Sequence, residues 1–245
     1  MKLAAAQIST VAGNVGLNLR KHIQLTELAV ANGISVIFFP ELSLTGYEPG
    51  LARQLAIAPT DPELNPLEDL SRRHGIVIAA GAPVQDAVGV KIGMIVFQPD
   101  APRSLYAKQH LHADELPFFV AGREDKLFCA EQQVMAPAIC YESLQPGHAE
   151  KAAKAGATLY LASVAKSNNG VNAAYVHYPA IAKKHGMTVM MANSTGPSDN
   201  FLSAGQSGIW NSEGDLVIAA DPFAEVLVVW DTDAGKGQLI SASTC

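Results

Sequence analysis

Hydrophobic positions fall in short runs whose period switches back and forth between that of a strand and that of a helix. Residues 3–8 form a strand-sized run, and over residues 17–31 the apolar Leu19, Ile23, Leu28 and Val30 recur at near-helical spacing. Asn32-Gly33 then supplies a left-handed stop. A strand over 34–39 follows and ends at Pro40, which cannot donate to a ladder. Asn65-Pro66-Leu67-Glu68 combines an N-cap, a proline at the first helical position and a glutamate three residues on; Gly75 closes that helix, and 76–80 forms the next strand. Residues 90–97 and 103–108 read as antiparallel strands joined by the turn Pro99-Asp100-Ala101-Pro102.

The second half repeats the style. Strands are expected at 134–139, 158–162 and 188–192, and helices at 148–155 and 174–185, stopped by Gly156 and Gly186. A hairpin of 208–210 and 216–220 and a closing strand at 226–230 complete the chain. Such alternation predicts an α/β fold with helices packed outside two sheets, a four-layer α-β-β-α sandwich. With no linker rich in Gly, Pro or Ser and no internal repeat, one domain over 1–245 is expected.

Composition narrows the function classes. Hydrophobic residues make up 49% and charged ones 16%, enough apolar material for a large core. A net charge of −6 without like-charge runs gives no footprint for nucleic acid or an anionic membrane, so a small-molecule partner is expected. No apolar run approaches the roughly 20 residues of a membrane helix. The N-terminus reaches polar Gln7 and Ser9 too early for a signal peptide, which points to the cytoplasm. Cys129, Cys140 and Cys245 are widely spaced and match neither a disulfide framework nor a zinc site, so free thiols and no metal are expected.

Three residues stand where strands give way to loops. Cys140, in Ile139-Cys140-Tyr141-Glu142-Ser143, sits between a strand and a helix, on an elbow that would expose a nucleophile and direct the following amides at an oxyanion. Helix amides and a neighbouring cation would lower its pKa. Glu41 ends a fully apolar strand, where desolvation would make it a better base. Lys108, in Tyr106-Ala107-Lys108-Gln109-His110-Leu111, could stabilise a thiolate or a tetrahedral intermediate. Each alone has a plainer role: core filling for Cys140, a loop cap or salt bridge for Glu41, a solvated lysine for Lys108. His110 and His112 lack a third ligand and read as structural.

Taken together, Phe39-Pro40-Glu41-Leu42-Ser43-Leu44-Thr45-Gly46-Tyr47, the Lys108 segment and Ile139-Cys140-Tyr141-Glu142 resemble the signature of the carbon-nitrogen hydrolase (nitrilase) superfamily, and of its amidase-like members in particular. Ala5-Ala6-Gln7 and Gly205-Gln206-Ser207 with Trp210-Asn211-Ser212-Glu213-Gly214 extend the resemblance nearly end to end. It implies an α-β-β-α sandwich, a homodimer or higher homo-oligomer packed through the helices after the cysteine strand, and no metal or organic cofactor. It also implies a Glu-Lys-Cys triad in which Glu41 is the base, Cys140 the nucleophile, and Lys108 with the Tyr141 amide the oxyanion site. Glu115 matches a second, assisting glutamate. Tyr47, Tyr141 and Ser163 are the candidates for substrate contact, with packing as their alternative role.

Two stretches depart from the family pattern. Leu161-Ala162-Ser163-Val164-Ala165-Lys166-Ser167 stands where many relatives have an Asn-Pro segment, and Ala182-Lys183-Lys184-His185-Gly186 lacks a common arginine-alanine-x-glutamate-asparagine run with its ion pair. Both fall where specificity is usually set. The leading expectation is hydrolysis of a small carboxamide to acid and ammonia through a cysteine thioester. N-carbamoyl and nitrile substrates come next, and a non-catalytic binding partner retaining the fold is the reading from another class. A membrane-embedded acyltransferase and a glutaminase unit of a larger synthetase are disfavoured, since neither membrane helices nor an ATP-binding segment accompany the motifs.

Overall fold

Residues 1–242 are described in the computed structural model, so Cys245 lies outside the described residues. The first half comprises β1 (Lys2–Ser9), α1 (Val15–Ala31), β2 (Val36–Phe38), α2 (Ala52–Leu55), α3 (Asn65–His74), β3 (Val77–Asp86), β4 (Gly89–Gln98), β5 (Ala101–Ala107) and β6 (Phe128–Ala130). The second comprises β7 (Gln133–Ile139), α4 (Pro146–Lys154), β8 (Leu159–Val164), α5 (Asn168–His185), β9 (Thr188–Ser198), β10 (Phe201–Ala204), β11 (Gly208–Trp210), β12 (Leu216–Ala219), β13 (Val226–Asp231) and β14 (Lys236–Ser241).

Two sheets result, in strand orders β5-β4-β3-β2-β1-β13-β14 and β6-β7-β8-β9-β11-β12. They meet where Ile8 and Ser9 pair with Ser194 and Thr195, and β10 folds back on β9. Strict alternation along the strands assigns each side chain to a layer. Leu3, Ala5, Val36 and Phe38 of one sheet share a core with Met135, Leu159, Leu161, Met190 and Ala192 of the other. Ala4, Ala6, Ile37 and Phe39 face outward onto Leu19, Leu25, Leu67 and Leu70 of α1 and α3. On the opposite outer face, Ala136, Ala138, Tyr160 and Ala162 meet Ala149 and Ala152 of α4 and Ala174, Tyr178 and Ile181 of α5. Three separate cores between four layers constitute the α-β-β-α sandwich.

Several local expectations needed revision. On α1 the buried face is Asn18, Leu19, His22, Leu25, Thr26 and Ala29, while Ile23, Leu28 and Val30 are only partly covered. Burial of Asn18 and His22 is tolerated because they find partners: Asn18 bridges Val11 and Leu44, and His22 bonds Asn18 O and Ser43 Oγ, whereas Thr26 Oγ1 has no partner among the described residues. Asn65 is inside α3 rather than its cap, because a 3-10 turn over Pro62–Leu64, capped by Asp61, precedes it. Helix α5 starts at Asn168, six residues before the expected 174, where Val171 adds a buried contact to the face. Strand β9 is eleven residues long because its second half pairs with β10. Among the described residues no helix is long and apolar enough to cross a membrane.

Candidate active site

Cys140 follows β7 directly and opens a 3-10 turn, Cys140–Leu144, ahead of α4. Its φ of 48° is left-handed, a conformation that costs a non-glycine residue about 1–3 kcal/mol and persists only where surroundings enforce it. Glu142 enforces it. Its Oε1 accepts from Ile139 N (2.7 Å) and Tyr106 Oη (2.6 Å), and its Oε2 accepts from Gln109 N (2.7 Å). One buried carboxyl therefore ties the elbow to the segment carrying Lys108. His148 extends the tie, meeting Tyr106 Oη at 2.9 Å and Tyr160 Oη at 2.8 Å.

Glu41 is held by a tight loop after β2. Leu44 N donates to Gly81 O (2.9 Å), and Ser43 Oγ accepts from Gly81 N (3.2 Å) while contacting His22 Nε2 (2.9 Å). Gly81 is required there: a Cβ would stand 2.5 Å from both Leu42 N and Pro40 O. Ser163 lies beneath, fully buried, and its Oγ donates to Phe39 O at 2.7 Å. It is therefore a clamp between the two sheets and does not line the cavity, contrary to the expectation of substrate contact.

The groups converge. Lys108 Nζ, fully buried, donates to Glu41 Oε1 (2.8 Å) and Glu115 Oε1 (2.6 Å). Glu115 also accepts from Tyr47 Oη (3.0 Å) and from His112 N (2.7 Å). Glu41 Oε2 is buried and has no hydrogen-bond partner among the described residues. Burial raises the Glu41 pKa to about 7, with Lys108 opposing and Glu115 adding to the rise, and the nearby Cys140 thiol favouring its charged form. Burial also works against the charge on Lys108, but Glu41, Cys140 and Glu115 together hold its pKa above the ordinary lysine value. Cys140 departs from expectation. Burial, then the Glu41 carboxylate, push its thiol up to about 11, and Lys166 and Lys108 only partly offset them. At neutral pH the Cys140 side chain is thus a thiol rather than a thiolate.

A cavity of about 260 Å³ opens over Cys140, with Tyr47, Glu115, Tyr141, Lys166 and Phe201 in its wall. A larger hollow of about 670 Å³ near Asp86, Lys91 and Arg123 includes none of the four predicted catalytic residues. His112, read as structural, lies in the Cys140 cavity wall with its ring 5.2 Å from that of Tyr141. In the sequence Lys166 reads only as part of the departing stretch 161–167 and not as a site residue. Its Nζ is 3.9 Å from Cys140 Sγ and 3.5 Å from Cys140 O. The signal was present, since Lys166 is a charge just beyond an apolar strand, like Glu41. Among the described residues no group of three or more His, Cys, Asp and Glu is disposed to hold a metal ion.

The carbon-nitrogen hydrolase family model matches residues 2–240. The chain belongs to that family. Carbon-nitrogen hydrolases of known structure share its fold: an amidase from Nesterenkonia sp. AN1 superposes with a TM-score of 0.86 at 22% identity, covering 96% of this chain and 94% of the other. Saccharomyces cerevisiae Nit3, a member of branch 10 of the nitrilase superfamily, gives 0.85 at 20%, covering 94% and 88%. A hydrolase in the pqqF 5' region of Pseudomonas protegens is 27% identical over 95% of this chain and 83% of its own length. A glutamine-dependent NAD(+) synthetase of Aquifex aeolicus is 23% identical over 97% of this chain, which spans only 43% of that protein. For a carbon-nitrogen hydrolase, a thiol, a neighbouring carboxyl with a free oxygen and a fixed ammonium supply the groups that nucleophilic acyl transfer requires.

Proposed function

We propose that the protein hydrolyses a small-molecule carboxamide to the acid and ammonia through a thioester on Cys140. The observation that carries this reading is the fully buried Lys108 joining Glu41 to Glu115 beside the Cys140 cavity. Glu41 Oε2 takes the thiol proton as Sγ bonds to the carbonyl carbon, and Lys108 with the Tyr141 amide stabilises the oxyanion. Collapse breaks the C–N bond, and the nitrogen leaves as ammonia with the proton held by Glu41. Water then adds to the thioester, giving a proton to Glu41; the C–S bond breaks, the proton returns to sulfur and the acid departs. A Glu41 pKa of about 7 suits a group that accepts and returns a proton near neutrality.

Released ammonia is the assay, with a panel of primary amides, dicarboxylic monoamides, N-carbamoyl amino acids and nitriles given to wild type and Cys140→Ala. Turnover by wild type alone is expected, strongest on an amide; equal release by both proteins would remove Cys140 from the mechanism. Glutamine belongs in the panel because the chain matches 43% of a glutamine-dependent synthetase, which favours a glutaminase unit as the second reading. Self-association through α4 and α5 is proposed with it, and light scattering should give a mass at least twice 25.8 kDa.

A further inference from the structure

Lys166 lines the Cys140 cavity and the fully buried Lys108 lies beside it, but their charges are balanced differently. Lys108 is held between two carboxylates at 2.8 and 2.6 Å. Lys166 is 5% exposed, and none of the described carboxylates pairs with it. Its nearest acceptors are the Cys140 carbonyl at 3.5 Å and the Cys140 sulfur at 3.9 Å, both long, and with its pKa near 11 that sulfur carries a proton at neutral pH. The acids in the same wall are occupied. Glu115 is bonded to Lys108, Tyr47 and His112 N, and Asp114 Oδ1 is 2.6 Å from the His112 ring.

The position of Lys166 is also rigid. Its backbone N donates to Asn193 Oδ1 (2.8 Å) and its carbonyl accepts from Asn193 Nδ2 (3.2 Å) and from Ala204 N (2.8 Å). Asn193 is itself fully buried and bonded to Gly205 O and Ser207 Oγ. Gly170 leaves room for the lysine stem, since a Cβ there would lie 3.1 Å from Lys166 Cβ. A buried ammonium without an anion is costly, and one built this firmly into a cavity wall is matched by an anionic ligand.

We infer that Lys166 is a specificity-determining residue that binds a carboxylate carried by the substrate, so that the preferred amides are monoamides of short dicarboxylic acids. This deepens the amide-hydrolysis reading and rests on it. The carboxylate accepts from Lys166 Nζ while the amide carbon lies over Cys140 Sγ, which limits the substrate to a few carbons between the two groups.

The test pairs malonamate, succinamate and glutaramate with propionamide, butyramide and valeramide, in which a methyl replaces the carboxylate. Binding to Cys140→Ala is measured by calorimetry, and turnover by wild type, Lys166→Met and Lys166→Arg through released ammonia. At least one acid amide should bind about ten- to a hundredfold more tightly than its neutral partner, as one buried charge-assisted hydrogen bond allows. Lys166→Met should erase that preference, mainly through KM, and Lys166→Arg should retain much of it. Equal binding within all three pairs overturns the inference. So does a Lys166→Met enzyme that slows acid and neutral amides alike while shifting the pH profile of iodoacetamide labelling, because Lys166 would then act on the thiol. If the acid amides bind through Lys166 but wild type releases no ammonia from any of them, the carboxylate site stands and the amidase reading fails.

Discussion

Replacing Lys108 by methionine keeps an unbranched side chain, one atom shorter, and removes the charge between Glu41 and Glu115. Both carboxyls are 1% exposed, and because each bonds the same nitrogen, at 2.8 and 2.6 Å, their oxygens are at most 5.4 Å apart. Two carboxylates at that separation repel by about 3 kcal/mol at an effective dielectric constant of about 20. Removing one partner from a buried ion pair costs about 3–5 kcal/mol. Protonation offers a way out. Glu41 already has its pKa raised from 4.5 to about 7 by burial with Lys108 opposing, and without Lys108 it rises further. A raised folded-state pKa means that the native protein holds a proton the unfolded chain has released, so stability falls as pH climbs from 4.5 through the folded value. In wild type that window closes near 7; in Lys108→Met it extends higher. Urea unfolding followed by the fluorescence of the buried Trp210 and Trp230 should show a deficit of about 3–5 kcal/mol at pH 8.5 that shrinks markedly by pH 5.5. Adding Glu41→Gln should recover much of the loss at pH 8.5. A deficit constant across pH, or no recovery in the double variant, would refute the charge-balance account of the site.

Three further outcomes follow from the geometry. In the pH profile of kcat/KM, the acid limb should have an apparent pKa near 7, where Glu41 loses its proton and becomes able to accept that of Cys140; a limb centred below 5 would exclude it as the base. Gly81→Ala should cost about 1–3 kcal/mol and reduce kcat about a hundredfold, since its Cβ collides with the backbone on both sides of Glu41; wild-type turnover would show that this loop does not set the position of the base. Cys140→Gly should be about 1 kcal/mol more stable than Cys140→Ala by thermal or urea unfolding, because glycine accepts a φ of 48° without strain; equal stabilities would mean that the elbow stores none.

Much of the architecture could be read from local pattern. The layering is legible in the order of strands and helices, and within residues 3–8 and 134–139 the strand geometry sends successive side chains to an inter-sheet core and an outer one. What escaped were elements without an apolar period: β6, β10 and β14 are short or exposed strands defined by their neighbours. The buried face of α1 was misjudged for a related reason. Asn18 and His22 look like solvent positions until Leu44 and Ser43 are brought against them.

Glu41, Lys108, Glu115 and Cys140 could be named from the chain because each marks the end of a strand or the loop beyond it, and their order resembles one family. That Glu115 and Cys140 line a single cavity, with Glu41 and Glu115 on one buried ammonium beside it, is a product of pairing across 67 and 7 residues of chain. Glu142 stood within the recognised motif, yet its work of tying the elbow to Gln109, 33 residues away, is visible only in three dimensions. Ser163 takes the packing role that stood as its alternative, and Lys166 reads in the sequence only as part of a stretch departing from the family pattern. Both lie at the end of one strand, and only the packing of the second sheet on Phe39 turns the serine inward while the lysine reaches the thiol. Sequence determined which groups are available and on which layer, because periodicity is local. Their protonation, their partners and their access to a ligand were decided by tertiary structure, because those depend on charges and desolvation brought together from distant parts of the chain.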